Sequence, residues 1–436
     1  MWGCGFIGLS TALHYANKGI KVVGYDLDKE VINSLNNNRT HIHNIESWMG
    51  FSIKRVIKSK LIKFTSKLEN ILNDEEIISH FIAVPTEKNG KPFLEPIKWV
   101  LDKLSKNEKK LKNYNYKKCI IVESTLVPKT TDDHLKKIFI KNKSNIDNFH
   151  YCVAPRRDWF ETKDKTLNTL NRVFGCNNDY ARDEVYKILN IVTKKLSPAS
   201  SYRVSEFVKA FENSYRHLEI TLANQLSFAF PNDNIREALK LAGTKWNMNT
   251  YYPGFGTGGY CIPLSSQYVL QGAGKNKKVL TLLDKTVKFD MKVNKLIAQK
   301  IIKRKFKKIL ILGLSYKSDV KVSILSPSIE LFNFFKSKKI KVDLFDPLFS
   351  KNELREILNY NIPKNLNLNK LNNYDCIILM VAHKYFKNYF TKNIKNIKNI
   401  KMILDNTSFL KKFEEVICNN NSNLIITGEP NWLNKK

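Results

Sequence analysis

The sequence predicts an α/β protein, two Rossmann-like doubly wound domains joined by a long central helix, and three observations predict it. Short apolar runs alternate with helical patterns over residues 1–198, one amphipathic pattern runs from about Tyr202 to Phe230, and a second strand-turn-helix series starts at Lys307. Strands separated by helices form parallel sheets, because only a crossover brings the next strand back alongside in the same direction. The domains then fall at 1–198, 199–300 and 301–436. A chain of 436 residues, 43% of them hydrophobic, is long enough to give each a core.

In the first domain, Lys21 to Tyr25, Ile77 to Val84, Lys118 to Val122 and Tyr151 to Ala154 read as buried strands. Ligands sit at the carboxyl ends of such strands, which here carry Asp26, Pro85-Thr86, Glu123-Ser124-Thr125 and Pro155-Arg156-Arg157-Asp158. In the central segment, Val204, Phe207, Val208, Phe211, Tyr215, Leu218, Leu222 and Leu226 recur at helical spacing, and Pro231 ends the helix. That stripe serves either the core or a dimer partner. The last third has strands at Lys308 to Leu312 entering a turn at Gly313, at Lys341 to Phe345, at Cys376 to Val381 and at Met402 to Leu404.

Composition narrows the function. No apolar stretch reaches the roughly eighteen residues a membrane span needs, and the amino terminus lacks a secretory layout, so a cytoplasmic protein with no membrane partner is expected. The seven cysteines have neither C-x-x-C pairs nor ligand spacing, which predicts no disulfide framework and no metal site. The formal charge of +33 comes from lysines spread along the whole chain among many asparagines. A solvated basic surface, rather than a nucleic-acid partner, is the expected meaning.

Gly3-Cys4-Gly5-Phe6-Ile7-Gly8 fits the G-x-G-x-x-G dinucleotide fingerprint, whose glycines allow a tight turn, close approach of pyrophosphate and close helix packing. The next helix leads to a strand ending at Asp26, an acid placed to take the ribose and repel a 2′-phosphate, so the expected cofactor is NAD. Only Met1-Trp2 precede the fingerprint, where a strand of five or six apolar residues belongs. The expectation is a truncated chain whose central strand is missing, at a cost of several kcal/mol in unpaired backbone and lost core.

Residues 251 to 263 place four glycines and two prolines around Cys261. A glycine-rich loop lets backbone approach a ligand and leaves a thiol accessible, as a covalent nucleophile requires, whereas incidental cysteines sit in buried apolar runs. Lys209, Asn213 and Arg216 recur at four and three residues and so share one helix face, where an ammonium and an amide suit an alkoxide or oxyanion.

Together these stretches resemble the UDP-glucose, UDP-N-acetylmannosamine and GDP-mannose dehydrogenase family over nearly the whole chain. The motifs are Gly3 to Gly8, Phe81 to Thr86, Glu123 to Thr125, Ser205 to Lys209 with Phe211 to Arg216, Pro253 to Pro263, and Gly313 to Asp319. The resemblance implies a four-electron oxidation at C6 of a UDP-sugar by NAD, for surface polysaccharide synthesis, through a thiohemiacetal and thioester on Cys261. It implies that Lys209 and Asn213 hold the oxyanion and that Thr125 positions water or hydroxyl. Gly3, Gly5, Gly8, Asp26, Thr86 and Thr125 would bind the cofactor. Arg157, Lys209, Asn213, Tyr251, Gly254, Gly256, Gly258 and Lys317 would bind substrate, and a homodimer would form through the central helix. The Cys-Ile-Pro form is similar to members acting on N-acetylated UDP-hexosamines.

Three positions depart from the family pattern. Ser265 stands where an aspartate usually follows the nucleophile, Arg156 replaces the glutamate of a Pro-Glu pair assigned to water activation, and Ile324 replaces a substrate-binding arginine. Asp158 is near enough in sequence to stand in for the missing glutamate. The first two changes touch hydrolysis, which leaves open an enzyme that stops before the acid, or a catalytically altered or inactive nucleotide-sugar-binding paralogue.

Overall fold

The computed structural model describes residues 1–40, 42, 45–111, 117–158, 165–360 and 368–434. The chain divides into two compact units, Met1–Glu212 with Gln267–Lys277, and Asn213–Ser266 with Lys278–Lys436.

In the first unit, α1 (Phe6–Asn17) leads into β1 (Val22–Tyr25), which pairs in parallel with β2 (Ile62–Thr65). Then β3 (Ser79–Ile82), β4 (Cys119–Val122), β5 (His150–Val153), β6 (Arg172–Cys176) and β7 (Leu196–Pro198) lie side by side in that order. Within this row every pairing is parallel except β5 with β6. β4 and β5 are buried along their whole length, which is why they read as continuous apolar runs rather than as alternation.

The central strand is present only as Trp2, which bridges Tyr25 of β1 and Ile82 of β3. Its amide donates to Phe81 O at 2.8 Å and its carbonyl accepts from Ala83 N at 2.8 Å, while Met1 O and Gly3 N pair with Tyr25. The indole is 1% exposed, donates to His80 Nδ1 at 3.3 Å, and packs edge-on against Tyr25 and Trp99. Burial lowers the His80 pKa to about 3, so its ring is neutral and Nδ1 accepts. Beside Met1 a cleft of about 940 Å³ opens between β1 and β3, walled by Val22, Val23, Ser79 and His80. Because the buried Trp2 bridges β1 and β3 and its indole packs against Tyr25 and Trp99, Trp2→Ala is expected to destabilise the protein by about 3–5 kcal/mol. Urea unfolding followed by far-UV dichroism measures it.

The long helix α2 (Tyr202–Ala229, 28 residues) has the extent its periodicity predicts, and runs from the first unit into the second. Its polarity is the reverse of the usual surface helix: Glu206, Asn213, His217 and Asn224 are buried, while Val204, Phe211, Tyr215 and Leu222 are exposed. Part of the apolar stripe is therefore not core. The polar residues are buried because each has a partner. In the first unit Glu206 accepts from Lys129 N, Thr131 N and Thr131 Oγ1, and burial still pushes its pKa up to about 7.

In the second unit, α3 (Ile262–Gly272) begins directly after Cys261, and α4 (Thr281–Ile302) follows. The sheet is β8 (Lys308–Leu312), then, across α5 (Pro327–Ser337), β9 (Lys341–Phe345), β10 (Cys376–Leu379), β11 (Met402–Asp405) and β12 (Leu424–Ile426). The spatial order is β9-β8-β10-β11-β12, all parallel. Its core joins Ile309 to Leu312 and Ile377 to Leu379 with Phe332 and Phe335 of α5 and Val293 and Ile297 of α4. α5 starts sharply because Ser326 caps it, accepting from Ser328 N, and Pro327 has no amide to satisfy. Among the described residues no helix is long and apolar enough to cross a membrane, and no cluster of three His, Cys, Asp or Glu is arranged to hold a metal.

Candidate active site

The glycine turn of the first unit is fixed by sterics. Gly3 has φ +90°, and a Cβ at Gly8 would lie 1.9 Å from Gly3 O, so only glycine fits at Gly8. Gly5, just ahead of α1, has no atom within 4 Å of where its Cβ would stand. Open space at that glycine, at the start of a helix, suits a pyrophosphate. Asp26 at the end of β1 accepts from Cys4 N at 2.7 Å and from Asp28 N at 3.0 Å, which aims its carboxylate at the turn. Thr86 and Thr125 also come together, with Thr86 Oγ1 donating to Thr125 O at 2.7 Å and Tyr268 donating to Thr86 O. These residues fit NAD. Asp26→Ser is expected to raise kcat/KM for NADP relative to NAD about tenfold or more, by removing a charge that repels a 2′-phosphate. Steady-state rates with both cofactors test this.

The remaining predicted groups of the first unit are partly committed. Arg157 pairs with Glu212 at 2.5 Å and donates to Asn171 O. Lys209 is half-buried. Asp158 does not stand free in place of the missing glutamate, because its two oxygens clamp Arg156 at 2.7 and 3.0 Å. Glu123 is not at a ligand site either. It is buried, accepts from Thr11 Oγ1 at 2.7 Å and pairs with Arg172, with Arg156 NH1 at 3.9 Å. Burial disfavours charge on Arg156, but Asp158 and Glu123 outweigh it and raise its pKa.

In the second unit, Cys261 is exposed, whereas Cys119, Cys152, Cys176 and Cys376 are buried in strands, as the contrast between loop and strand thiols predicts. Cys418, in a short helix, is also exposed. Cys261 stands directly before α3. Cys261 O accepts from Ser265 Oγ at 2.6 Å, and Asn213 Nδ2 donates to the same hydroxyl at 3.1 Å. Asn213 thus holds the turn that leads from Cys261 into α3, a contact its spacing alone did not reveal. Arg216 Nε donates to Tyr251 OH at 3.2 Å.

The loop glycines make room for protein. A Cβ at Gly254 would meet Asn406 Oδ1 at 2.6 Å, one at Gly256 Val293 Cγ1 at 2.7 Å, and one at Gly258 Tyr316 Cβ at 2.7 Å. Gly254 N donates to Asn224 Oδ1 and Gly259 N to Ile324 O. Lys317 is half-buried beyond the Gly313 turn, whose amides at Leu314 and Ser315 are held by buried Asp346. Burial would raise the Asp346 pKa, but the bond and charge of His383 and the backbone donors outweigh it and lower it. A pocket of about 210 Å³ lies against this loop, lined by Asn224, Arg236, Tyr252, Gly254 and Asn406.

A glycine turn entering a helix, an acid closing it, and a second α/β unit with an exposed thiol define a dinucleotide-dependent oxidoreductase. The chain belongs to the UDP-glucose/GDP-mannose dehydrogenase family, whose NAD binding domain matches residues 1–192, central domain 203–292 and UDP binding domain 310–412. It is an NAD-dependent nucleotide-sugar dehydrogenase. It is 27% identical over 433 residues to a UDP-N-acetyl-D-glucosamine 6-dehydrogenase of Salmonella typhi, covering 95% of this chain and 96% of that one. It is 27% identical over 406 residues to a UDP-N-acetyl-D-mannosamine dehydrogenase of Methanococcus aeolicus, covering 90% and 86%. The fold is that of the UDP-D-ManNAc dehydrogenase structure from Pyrococcus horikoshii, with TM-score 0.82, 23% identity and 99% of each chain covered.

Proposed function

We propose that this enzyme oxidises the C6 primary alcohol of a UDP-sugar to the carboxylate through covalent intermediates on Cys261. The observation that carries the reading is an exposed thiol at a helix start, on a loop held by side chains from several elements. NAD, when bound at the Gly3 to Gly8 turn, accepts one hydride in each oxidation. The alcohol first becomes the aldehyde, releasing its hydroxyl proton. Cys261 Sγ adds to the carbonyl carbon while its proton passes to the oxygen, giving a thiohemiacetal, and loss of a second hydride together with the hydroxyl proton leaves a thioester. Water then cleaves the C–S bond, releasing the acid and the thiol. Lys209 and Asn213 keep the oxyanion-donor role that the resemblance implies, and Thr125 that of positioning hydroxyl or water. The names of the relatives favour an N-acetylated UDP-hexosamine as substrate, and a surface polysaccharide is the destination of the uronic acid that the family resemblance implies. Exposed Phe211, Tyr215 and Leu222 on α2 support a homodimer through that helix.

A second reading, in which the reaction stops at the aldehyde or stalls as thioester, draws on Ser265 and on the clamping of Asp158 by Arg156. Counting NADH per sugar separates the two. With a panel of UDP-sugars and excess NAD, two NADH per sugar consumed is the expected result. One NADH supports the shorter reaction, and UDP-sugar binding with no NADH contradicts both.

A further inference from the structure

Within the second unit a buried polar chain runs under the nucleophile loop. His217 of α2 is 1% exposed; its Nδ1 lies 2.9 Å from Ser266 Oγ in α3, and its Nε2 lies 3.2 Å from Asp290 Oδ2 in α4. Asp290 accepts from Thr257 N at 3.1 Å and from Thr257 Oγ1 at 2.5 Å. Thr257 precedes Cys261 and Ser266 follows it, so one imidazole is hydrogen-bonded to the segment after Cys261 and packs 3.2 Å from the carboxylate that holds the segment before it. Asn213 and Asn224 lie on the same face of α2 as His217, four and seven residues away, and hold Ser265 and Gly254 N.

Serine, histidine and aspartate in this order make a hydrolytic triad when the serine faces a cleft. Here Ser266 is 0% exposed, so no acyl group reaches its hydroxyl. His217 Nδ1 and Ser266 Oγ form the hydrogen bond of this chain, and Asp290 Oδ2 lies in contact with Nε2. The space left is small: a Cβ on Gly256 would lie 3.0 Å from Asp290 Oδ1.

We infer that His217, with Asp290, is a positioning residue that fixes the Cys261 loop from both sides, a role that rests on Cys261 being the nucleophile. A misplacement of about 1 Å at a reacting group costs up to about 100-fold in rate. His217→Leu should therefore lower kcat about 10- to 100-fold with the KM for NAD within about twofold, since the cofactor turn is elsewhere. It should speed hydrogen exchange in peptides spanning 253–266 without doing so in 1–200, and change the rate of Cys261 alkylation by iodoacetamide. His217→Gln, which offers one donor and one acceptor, should restore most of both. Should His217→Leu not fold, Ser266→Ala removes one bond alone and should show the same local loosening. Unchanged exchange and alkylation in a folded variant, or loosening shared equally by 1–200, would overturn the inference. If alkylating Cys261 in the wild type leaves NADH formation intact, the covalent reading fails, while the exchange measurement still decides what His217 holds.

Discussion

Replacing Cys261 by serine is expected to reduce acid formation about 10,000-fold or more, while UDP-sugar and NAD binding stay close to wild type. A hydroxyl at this position is far less nucleophilic than a thiol, and neighbouring Ser265, which donates to Cys261 O and accepts from Asn213, offers no base to activate it. The first hydride transfer does not use the sulfur, so the variant should release slow, substoichiometric NADH and trace aldehyde. Single-turnover absorbance at 340 nm with equilibrium binding separates chemistry from affinity.

The second large effect falls on stability. Glu123→Ala is expected to destabilise the protein by about 3–5 kcal/mol, because it leaves the buried guanidinium of Arg172 without its carboxylate and weakens the hold on Arg156. Arg172 NH2 keeps only Ala154 O, at 3.1 Å. Glu123→Gln keeps a side-chain acceptor and should lose less. Chemical denaturation of both variants gives the values, and a loss below about 1 kcal/mol for the alanine variant would show that the network carries little.

The architecture was legible because it depends on apolar periodicity, which packing follows directly. The strand at Lys341–Phe345 has its expected bounds, and α2 ends one residue before the predicted limit. The direction in which α2 faces was not legible. Its apolar stripe suited a core or a dimer partner equally, and Phe211, Tyr215 and Leu222 are exposed because Asn213, His217 and Asn224 find partners from distant segments. The site divides the same way. Asp26 meets the Gly3 to Gly8 turn through Cys4 N, and Thr86 meets Thr125, because each pair lies at the ends of neighbouring strands. Asp158 seemed a ready substitute carboxylate until the structure placed it on Arg156, a side chain two residues away that local sequence leaves free to point elsewhere. The loop glycines around Cys261 also carry a second meaning: their missing side chains accommodate Asn406, Val293 and Tyr316. Such contacts belong to the tertiary fold and leave no local pattern.

The measurement that bears most directly on covalent catalysis is peptide mass spectrometry after acid quench, during turnover with NAD and a UDP-hexosamine. The account predicts that the peptide containing Cys261 carries the mass of the UDP-uronic acid less water, appearing before the acid accumulates and absent when NAD is omitted. Two NADH per sugar with the Cys261 peptide unmodified at every time point would contradict it.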